Sequence, residues 1–441
     1  MSYESLFLPV VQKFDGVPPE IYVAFPDSLK NEDVRKRVRE WWLMGNQSTY
    51  AKLKLFNIRE FELICKPRRI ELNWKLGVIQ ILTPSDLKIS LSKAYLGRLG
   101  SDIEGICKAL GDFLYIRAIK SDTGLKATDI QALKATEDVD TARRIVEEQK
   151  IPPIQALIEG LGLKYNEYTQ RIYLPRIVSW IRGFDGKPMH IMQFTPPNSG
   201  KTSFGLRSGT LFNWEYLNEV PTLARLVMDA RGGTLGVVFL RDGMIFDEYD
   251  KWGLNRERVK VLYEVLLTGM EQGKWTRGTT MLTDFVPDVP RMLPVVFFGN
   301  TGSLADMWDK ETPTRALVNG FYSGQLGVRL DPLIDRISWV DLLIEEITIH
   351  DHLVWKVLPD SIIRGLIRYI QDHVEEVNES NLRGRLWRHS NNLYAIFKAL
   401  GVNATPKQVD SLVFGYINPY ISQKSLESGS EPSGQSEVKR D

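Results

Sequence analysis

From about residue 177 the chain breaks into short, almost wholly apolar runs, MHIMQF (189–194), GVVFL (236–240), GMIFDE (243–248) and LPVVFFGN (293–300), separated by helical stretches and turn residues. Runs that are apolar at every position suit strands covered on both faces, so the pattern predicts an α/β unit with a mostly parallel sheet flanked by helices. Upstream, residues 1–123 mix strand-like runs (52–65 and 69–82) with helix-like ones (34–45 and 103–116), the mark of an α+β domain. Between the two, residues 136–162 read as helix interrupted by Pro152 and Pro153, where helix must stop or restart, and are expected to hinge into the next domain. After about residue 341 the pattern is helical again, with a stop and restart at Gly401 and Pro406. Residues 423–441 hold almost nothing to bury and read as a disordered tail. The resulting division is an α+β N-terminal domain over 1–134, a helical linker over 135–176, an α/β core over 177–342, a helical lid over 343–422 and the tail.

Composition narrows the picture only a little. The 441 residues are 43% hydrophobic, enough for several packed cores, and 56 basic against 55 acidic residues leave a formal charge of +1. Any contact with nucleic acid must then be local. The two cysteines, Cys65 and Cys107, stand far apart without nearby histidines, so neither a disulfide framework nor a structural zinc site is suggested, and a reducing, cytoplasmic setting is expected. Of the five histidines only His350 and His352 are close, too few ligands for a metal. No apolar run approaches the roughly 20 residues that span a bilayer, so no membrane partner is expected.

Chemistry is carried by residues after the apolar runs. MHIMQF is followed by TPPNSGKTSFG, in which Gly200, Lys201 and Thr202 form the G-K-[ST] end of a phosphate loop between a strand and a helix. Backbone N–H groups at a helix start wrap phosphates, Lys201 is expected to bridge the β- and γ-phosphates of ATP, and the Thr202 hydroxyl to sit on Mg²⁺. The first glycine of that motif is replaced by Thr195. A bare G-K-T also occurs in plain surface turns, and its neighbours decide between the two. GMIFDEYDKW ends in Asp247, expected to orient Mg²⁺ and its water, and Glu248, expected to polarise the attacking water as general base. PVVFFGNTG ends in Asn300, which can hold that water against the γ-phosphate or simply form a turn. Arg336, just past a Pro turn, is expected to reach the γ-phosphate in a neighbouring copy, the alternative being a salt bridge to Asp335 or Asp331.

Phosphate loop, acidic pair, Asn strand and Arg in that order resemble the arrangement of AAA+ ATPases. Residues YEVLLTGMEQGKWTRGTTM followed by LPVVFFGNTG are similar to the M-E-Q, hairpin and Asn-strand segment of MCM replicative helicases. They are more similar still to the Lon-like ATPase of BREX phage-exclusion systems, where a pair akin to Gly273 and Lys274 leads through an aromatic to a pair akin to Arg277 and Gly278. The resemblance covers about Leu161 to Ile344. It implies an AAA+ module with a hairpin inserted before the Asn strand, assembled as a hexameric ring and driven by ATP and Mg²⁺. In such helicases the hairpin touches DNA in the pore, so Lys274 and Arg277 are the matching cations and Trp275 the matching aromatic. Cations and a ring are also what backbone tracking needs, through phosphate contact and base stacking.

The chain departs from these families in having no Ser-Lys protease domain after the ATPase module and no zinc cluster in its N-terminal region. In the lid, Arg383 or Arg385 matches the arginine that reaches the ATP phosphates, and Arg388 is a third candidate. A basic stretch around Trp74 (Lys66, Arg68, Arg69, Lys75) reads either as a nucleic-acid contact or as a solvated sheet face. Three readings follow: a DNA translocase or helicase, a protein remodeller, and a slow nucleotide-controlled scaffold prompted by Thr195. A protein partner through the N-terminal domain is a further expectation.

Overall fold

In a computed structural model of the protein, the structure describes residues 2–6, 8–9, 21–24, 60–133 apart from short gaps, 137–229, 234–275, 291–309, 312–345, 348–354 and 356–415. The gaps fall at 66, 68, 74–77, 84–86, 100–104, 107–108, 110–112 and 123.

Alternation builds the first sheet. Its strands are β1 (Ile21–Ala24), β2 (Glu60–Cys65), β3 (Arg69–Asn73), β4 (Val78–Leu82), β5 (Lys88–Ser92), β6 (Phe113–Ser121) and β7 (Gly124–Leu133). Ile79 and Ile81, Ile89 and Leu91, and Leu114, Ile116 and Ala118 are buried, each set two residues apart, so one face lies on the core. Neighbouring strands are antiparallel except β5 and β7, which run parallel. Residues 113–116 belong to β6, so the helix-like reading of 103–116 gives way at its end. The aromatic and β-branched side chains of FLYI serve a pleated surface equally well, and pairing with β7 over nine residues decides for strand. The helix expected at 34–45 lies outside the described residues.

Helices α1 (Val139–Arg143), α2 (Pro153–Gly160) and α3 (Glu167–Val178) follow. Pro153 sits in the first turn of α2, where its missing N–H costs nothing, and Asn166 caps α3 through a reciprocal bond pair with Thr169. The sheet of the α/β unit is made by β8 (Ile191–Thr195), then α4 (Lys201–Phe212), β9 (Trp214–Leu217), a small hairpin of β10 (Met228–Asp229) and β11 (Thr234–Leu235), β12 (Gly243–Phe246), α5 (Arg256–Gln272), β13 (Val295–Asn300), α6 (Thr314–Leu326) and β14 (Trp339–Leu342). Its five strands are all parallel in the order β9, β12, β13, β8, β14. GVVFL contributes no strand here: Val237–Leu240 forms one buried helical turn, because a four-residue apolar run carries no period to distinguish the two.

Period two sorts the strand side chains into two cores. Met192, Phe194, Met244, Phe246, Val295, Phe297, Val340 and Leu342 enter one, shared with α5, α6 and the buried face of the first sheet. Ile191, Ile245, Val296, Phe298 and Trp339 enter the other, shared with α2, α3 and the C-terminal helices α7 (Asp360–Asp372), α8 (Gly384–Leu400) and α9 (Pro406–Phe414). Residues 139–178, which overlap the stretch 135–176 expected as a linker, pack into that second core. Gly365 of α7 lies so close to the start of α1 that an added Cβ would stand 2.3 Å from the Asp138 carbonyl oxygen. The hairpin β10–β11 extends the N-terminal sheet, Thr234 pairing with Glu71 of β3, and the Arg241 guanidinium donates to the Pro67 carbonyl at 2.7 Å. No described helix is long and apolar enough to cross a membrane.

Candidate nucleotide site

Strand β8 is the switch point of the sheet: the chain leaves it for β9, β12 and β13 on one side and returns to its other side as β14. In open parallel sheets ligands settle in the crevice at the carboxyl ends of such strands, and this is where Thr195, Phe246 and Asn300 end β8, β12 and β13. The loop after β8 turns through two left-handed residues, Asn198 at φ 62° and Gly200 at φ 79°, before α4 starts. Asn tolerates that region and Gly200 is required for a second reason, since a Cβ there would stand 2.6 Å from the Tyr173 hydroxyl. Thr195, in the place of the usual first glycine, has no positive φ and bonds Ser199 Oγ at 2.7 Å. A side chain is tolerated there without backbone strain.

Lys201 Nζ lies among oxygens: the Thr195 carbonyl at 3.1 Å, the Pro196 carbonyl at 3.2 Å, Thr195 Oγ1 at 3.3 Å and Asn300 Oδ1 at 2.9 Å. Burial pulls its pKa down to about 8, the nearby Arg176 adds to this, and Asp247 and Asp250 oppose it. Asn300 is held in turn by Asp250, whose Oδ1 accepts from the Asn300 backbone N–H at 3.0 Å and whose Oδ2 accepts from Nδ2 at 3.4 Å. Asp250 therefore fixes which end of the Asn300 amide faces the lysine.

The acidic pair divides its directions. Asp247 is buried, and its Oδ1 accepts the Glu248 backbone N–H at 2.8 Å while Oδ2 accepts the Tyr216 hydroxyl. That hydroxyl is also 3.2 Å from Thr202 Oγ1. Glu248 adopts φ 55°, a left-handed conformation costly for a side chain with a Cβ, and its carboxylate turns outward to an ion pair with Lys251. Beneath the loop lies Arg176, fully buried, donating to Gln193 Oε1 at 2.7 Å and to the Ser199 carbonyl at 2.9 Å, with the Tyr173 ring 4.9 Å from its guanidinium carbon. Gln193 passes the link to Asp341 at 3.0 Å, which pairs with Arg171 at 2.6 Å. Burial lowers the Arg176 pKa, yet an arginine stays charged, so a fixed cation underlies the phosphate loop.

Sequence reasoning did not find Asp250, Tyr216 or Arg176. Asp250 stood three residues past Asp247 in DEYDKW, and Arg176 was a lone cation inside the apolar run IYLPRIVSWI, a recognisable signal for a paired buried charge. Tyr216 left no such trace.

The remaining candidates lie elsewhere. Arg336 precedes β14, at the amino-terminal end of the sheet, where the Ser338 N–H donates to the His190 carbonyl and Trp339 pairs with Ile191. It does not bridge to Asp331, nor to Asp335 as one alternative held. It donates to the carbonyls of Leu267 and Pro332 and pairs with Glu271 at 3.3 Å. Arg385 joins the same cluster, paired with Glu271 at 2.9 Å and with Asp335. Within one chain Arg385 is thus held away from the phosphate loop, a correction to its expected reach. Arg383 caps the start of the same helix and is exposed, and Arg388 lies one turn further along.

Trp275 is also corrected. It is buried at 4% exposure, its ring lies over Gly269 and its indole N–H donates to the Arg291 carbonyl at 2.8 Å, so it offers no face to a base. Lys274 beside it is exposed, and Arg277 and the expected hairpin beyond it lie outside the described residues. Of the basic stretch, Arg69 falls on β3 and the neighbouring Glu71 pairs with Lys88 at 3.6 Å.

Fold and site together define a P-loop α/β module, with a phosphate loop, an acidic strand end and an asparagine meeting at one edge of a parallel sheet. No protein-family model matches the chain. Its sequence is similar to the uncharacterized protein ORF425 of Acidianus filamentous virus 2 (isolate Italy/Pozzuoli), 29% identical over 403 residues that cover 85% of this chain and 89% of that one. It is similar also to the uncharacterized protein ORF426 of Acidianus filamentous virus 1 (isolate United States/Yellowstone), 26% identical over 82% of this chain and 87% of that one. The uncharacterized protein 440 of Sulfolobus islandicus rod-shaped virus 1 is 25% identical over 67% and 68%. Among solved structures, a full-length MCM homolog from Methanopyrus kandleri superimposes with a TM-score of 0.48 at 13% identity, over 81% of this chain and 77% of that chain. The likeness to the Lon-like ATPase of BREX systems is not supported by these comparisons.

Proposed function

We propose that the protein is an AAA+ ATPase that assembles as a head-to-tail ring, hexameric by resemblance, and uses ATP hydrolysis to move along DNA. The observation that carries this reading is the meeting of Lys201, Asn300 and the Thr202–Tyr216–Asp247 group at the ends of three adjacent parallel strands, with Arg336 at the far end of the same sheet.

The donor set suits Mg²⁺. Thr202 Oγ1 and Asp247 Oδ2 are hard oxygens already joined through one intervening hydroxyl, and such a cation keeps several waters while binding one carboxylate and the substrate phosphates. Bound there, it would neutralise charge on the β- and γ-phosphates. Lys201 exchanges its loop carbonyls for the phosphate oxygens, and Arg176 below reinforces the positive field. Asn300, oriented by Asp250, presents its amide to the attacking water. Glu248 must leave Lys251 to take the water's proton.

Strand β8 rises about 3.3 Å per residue over its five residues, so Arg336 stands roughly 15 Å from its own phosphate loop. A γ-phosphate presented by the next copy is the partner that suits it, and Arg385, in the same cluster, is offered to the same neighbour. DNA contact falls to Lys274 and Arg277 through phosphate attraction, with Trp275 as a structural anchor. The virus-encoded relatives favour mobile-element DNA over a cellular defence pathway as the substrate's setting. The domain division given above, with a lid over 343–422, belongs to this proposal.

The slow-scaffold reading loses its motive with the unstrained Thr195. DNA movement is tested by ATP turnover with and without duplex. Lys201→Ala is expected to abolish turnover, and Lys274→Ala with Arg277→Ala to remove DNA stimulation while basal turnover persists. Full stimulation in the double variant refutes the hairpin assignment, and stimulation by unfolded protein alone favours a protein remodeller.

A further inference from the structure

The hydroxyl of Tyr216 lies between the two protein groups that a divalent cation would join. It hydrogen-bonds Asp247 Oδ2 and stands 3.2 Å from Thr202 Oγ1. A phenol has one proton, and an ionised carboxylate is the stronger acceptor, so the proton goes to Asp247, with Thr202 Oγ1 in close contact with the phenol oxygen. The other Asp247 oxygen is committed to the Glu248 backbone N–H at 2.8 Å, which leaves Oδ2 as the oxygen available to a metal-bound water. Tyr216 covers it.

A second feature shows that the ring's place is built into the fold. Tyr216 is the third residue of β9 and its ring packs against α4 at Gly205. A Cβ on Gly205 would stand 2.2 Å from Tyr216 Cδ2 and 2.7 Å from Cε2. The glycine four residues after Lys201, in a helix that propensity alone would fill with another residue, thereby gives the phenol access to the Thr202 hydroxyl.

We propose that Tyr216 is a positioning residue that closes the metal side of the nucleotide site, its hydroxyl bridging Thr202 and Asp247 until a divalent cation arrives with nucleotide and displaces it. The inference rests on the nucleotide-site reading above and deepens it. Free Mg²⁺ must break the phenol's bond to Asp247 before it gains a ligand. Mg²⁺ carrying ATP brings the phosphate contacts of Lys201 and the loop as compensation. The site thus favours the metal–nucleotide complex over the bare ion, and metal affinity is set by a side chain that is not itself a ligand.

Tyr216→Phe keeps the ring on Gly205 and removes only the hydroxyl. Two measurements on the full-length chain test the proposal: binding of a fluorescent, non-hydrolysable ATP analogue titrated with Mg²⁺, and binding of Mn²⁺ without nucleotide followed by electron paramagnetic resonance. Loss of one net hydrogen bond corresponds to a change of about five- to tenfold. The expected result is a fall of that size in the Mg²⁺ concentration giving half-maximal analogue binding, together with tighter Mn²⁺ binding. An unchanged half-point overturns the proposal, and a raised one overturns it in favour of a phenol that supports the metal. Absence of analogue binding in the unaltered protein at saturating Mg²⁺ refutes the nucleotide reading instead, while the Mn²⁺ arm still decides the role of Tyr216.

Discussion

Arg336 offers the sharpest test of the ring. Its guanidinium is held by Glu271 and two carbonyls at the amino-terminal end of the sheet, roughly 15 Å from the phosphate loop of its own chain by the rise of β8, about 3.3 Å per residue. Arg336→Ala should therefore leave nucleotide binding by the isolated subunit intact. Its effect on turnover should be large, since an arginine supplied by a neighbour is worth about 10³–10⁵ in kcat. Glu248→Gln, which removes the general base and keeps the arginine, should be equally inactive alone. In a head-to-tail ring each site pairs with the arginine of one neighbour, so mixing the two variants in equal amounts repairs the interfaces where an Arg336→Ala site meets a Glu248→Gln arginine. Random mixing makes that about a quarter of all interfaces, and turnover should return to about that fraction of the unaltered protein's rate. The assay is phosphate release after subunits are mixed and reassembled with ATP. Recovery no greater than the sum of the separate variants would refute the trans arrangement, as would near-normal turnover in Arg336→Ala alone.

Four further outcomes follow from the geometry. Burial holds the Lys201 pKa down to about 8 against 10.5 when unperturbed, so ATP affinity should weaken as pH rises above about 8, approaching tenfold per pH unit, as measured by titration calorimetry. Between those two values the unfolded chain binds the extra proton, so this lysine makes the fold more stable as pH rises through the window, and Lys201→Met should remove that part of the pH dependence in denaturant unfolding. Asn300→Ala removes both the lysine's 2.9 Å acceptor and the water-facing amide, and should lower kcat on the order of 10²-fold with a much smaller change in ATP affinity, read from single-turnover kinetics. Gly365→Ala drives a Cβ against the Asp138 carbonyl and should cost about 1–3 kcal/mol of stability by thermal or denaturant unfolding without altering the nucleotide site.

What the sequence determined by itself was whatever a short window and its chain order contain. Almost wholly apolar runs made β8, β12 and β13, because strands buried on both faces leave few polar positions. Gly200, Lys201, Thr202, Asp247 and Asn300 were legible because each stands at or just after the end of such a run, and a parallel sheet carries all those ends to one edge. GVVFL and FLYI were misread for the converse reason: four apolar residues carry no period, and their neighbours in space chose a helical turn for one and a strand for the other. Tertiary structure alone decided the rest, since it concerns where a side chain points and what meets it from afar. It placed Trp275 on Gly269, turned Glu248 toward Lys251, joined Arg385 to Asp335 across 50 residues of chain, and set the Tyr216 hydroxyl between Thr202 and Asp247. Hydrogen bonds and ion pairs depend on a few tenths of an ångström and on direction, and neither is written into the local spacing of residue types.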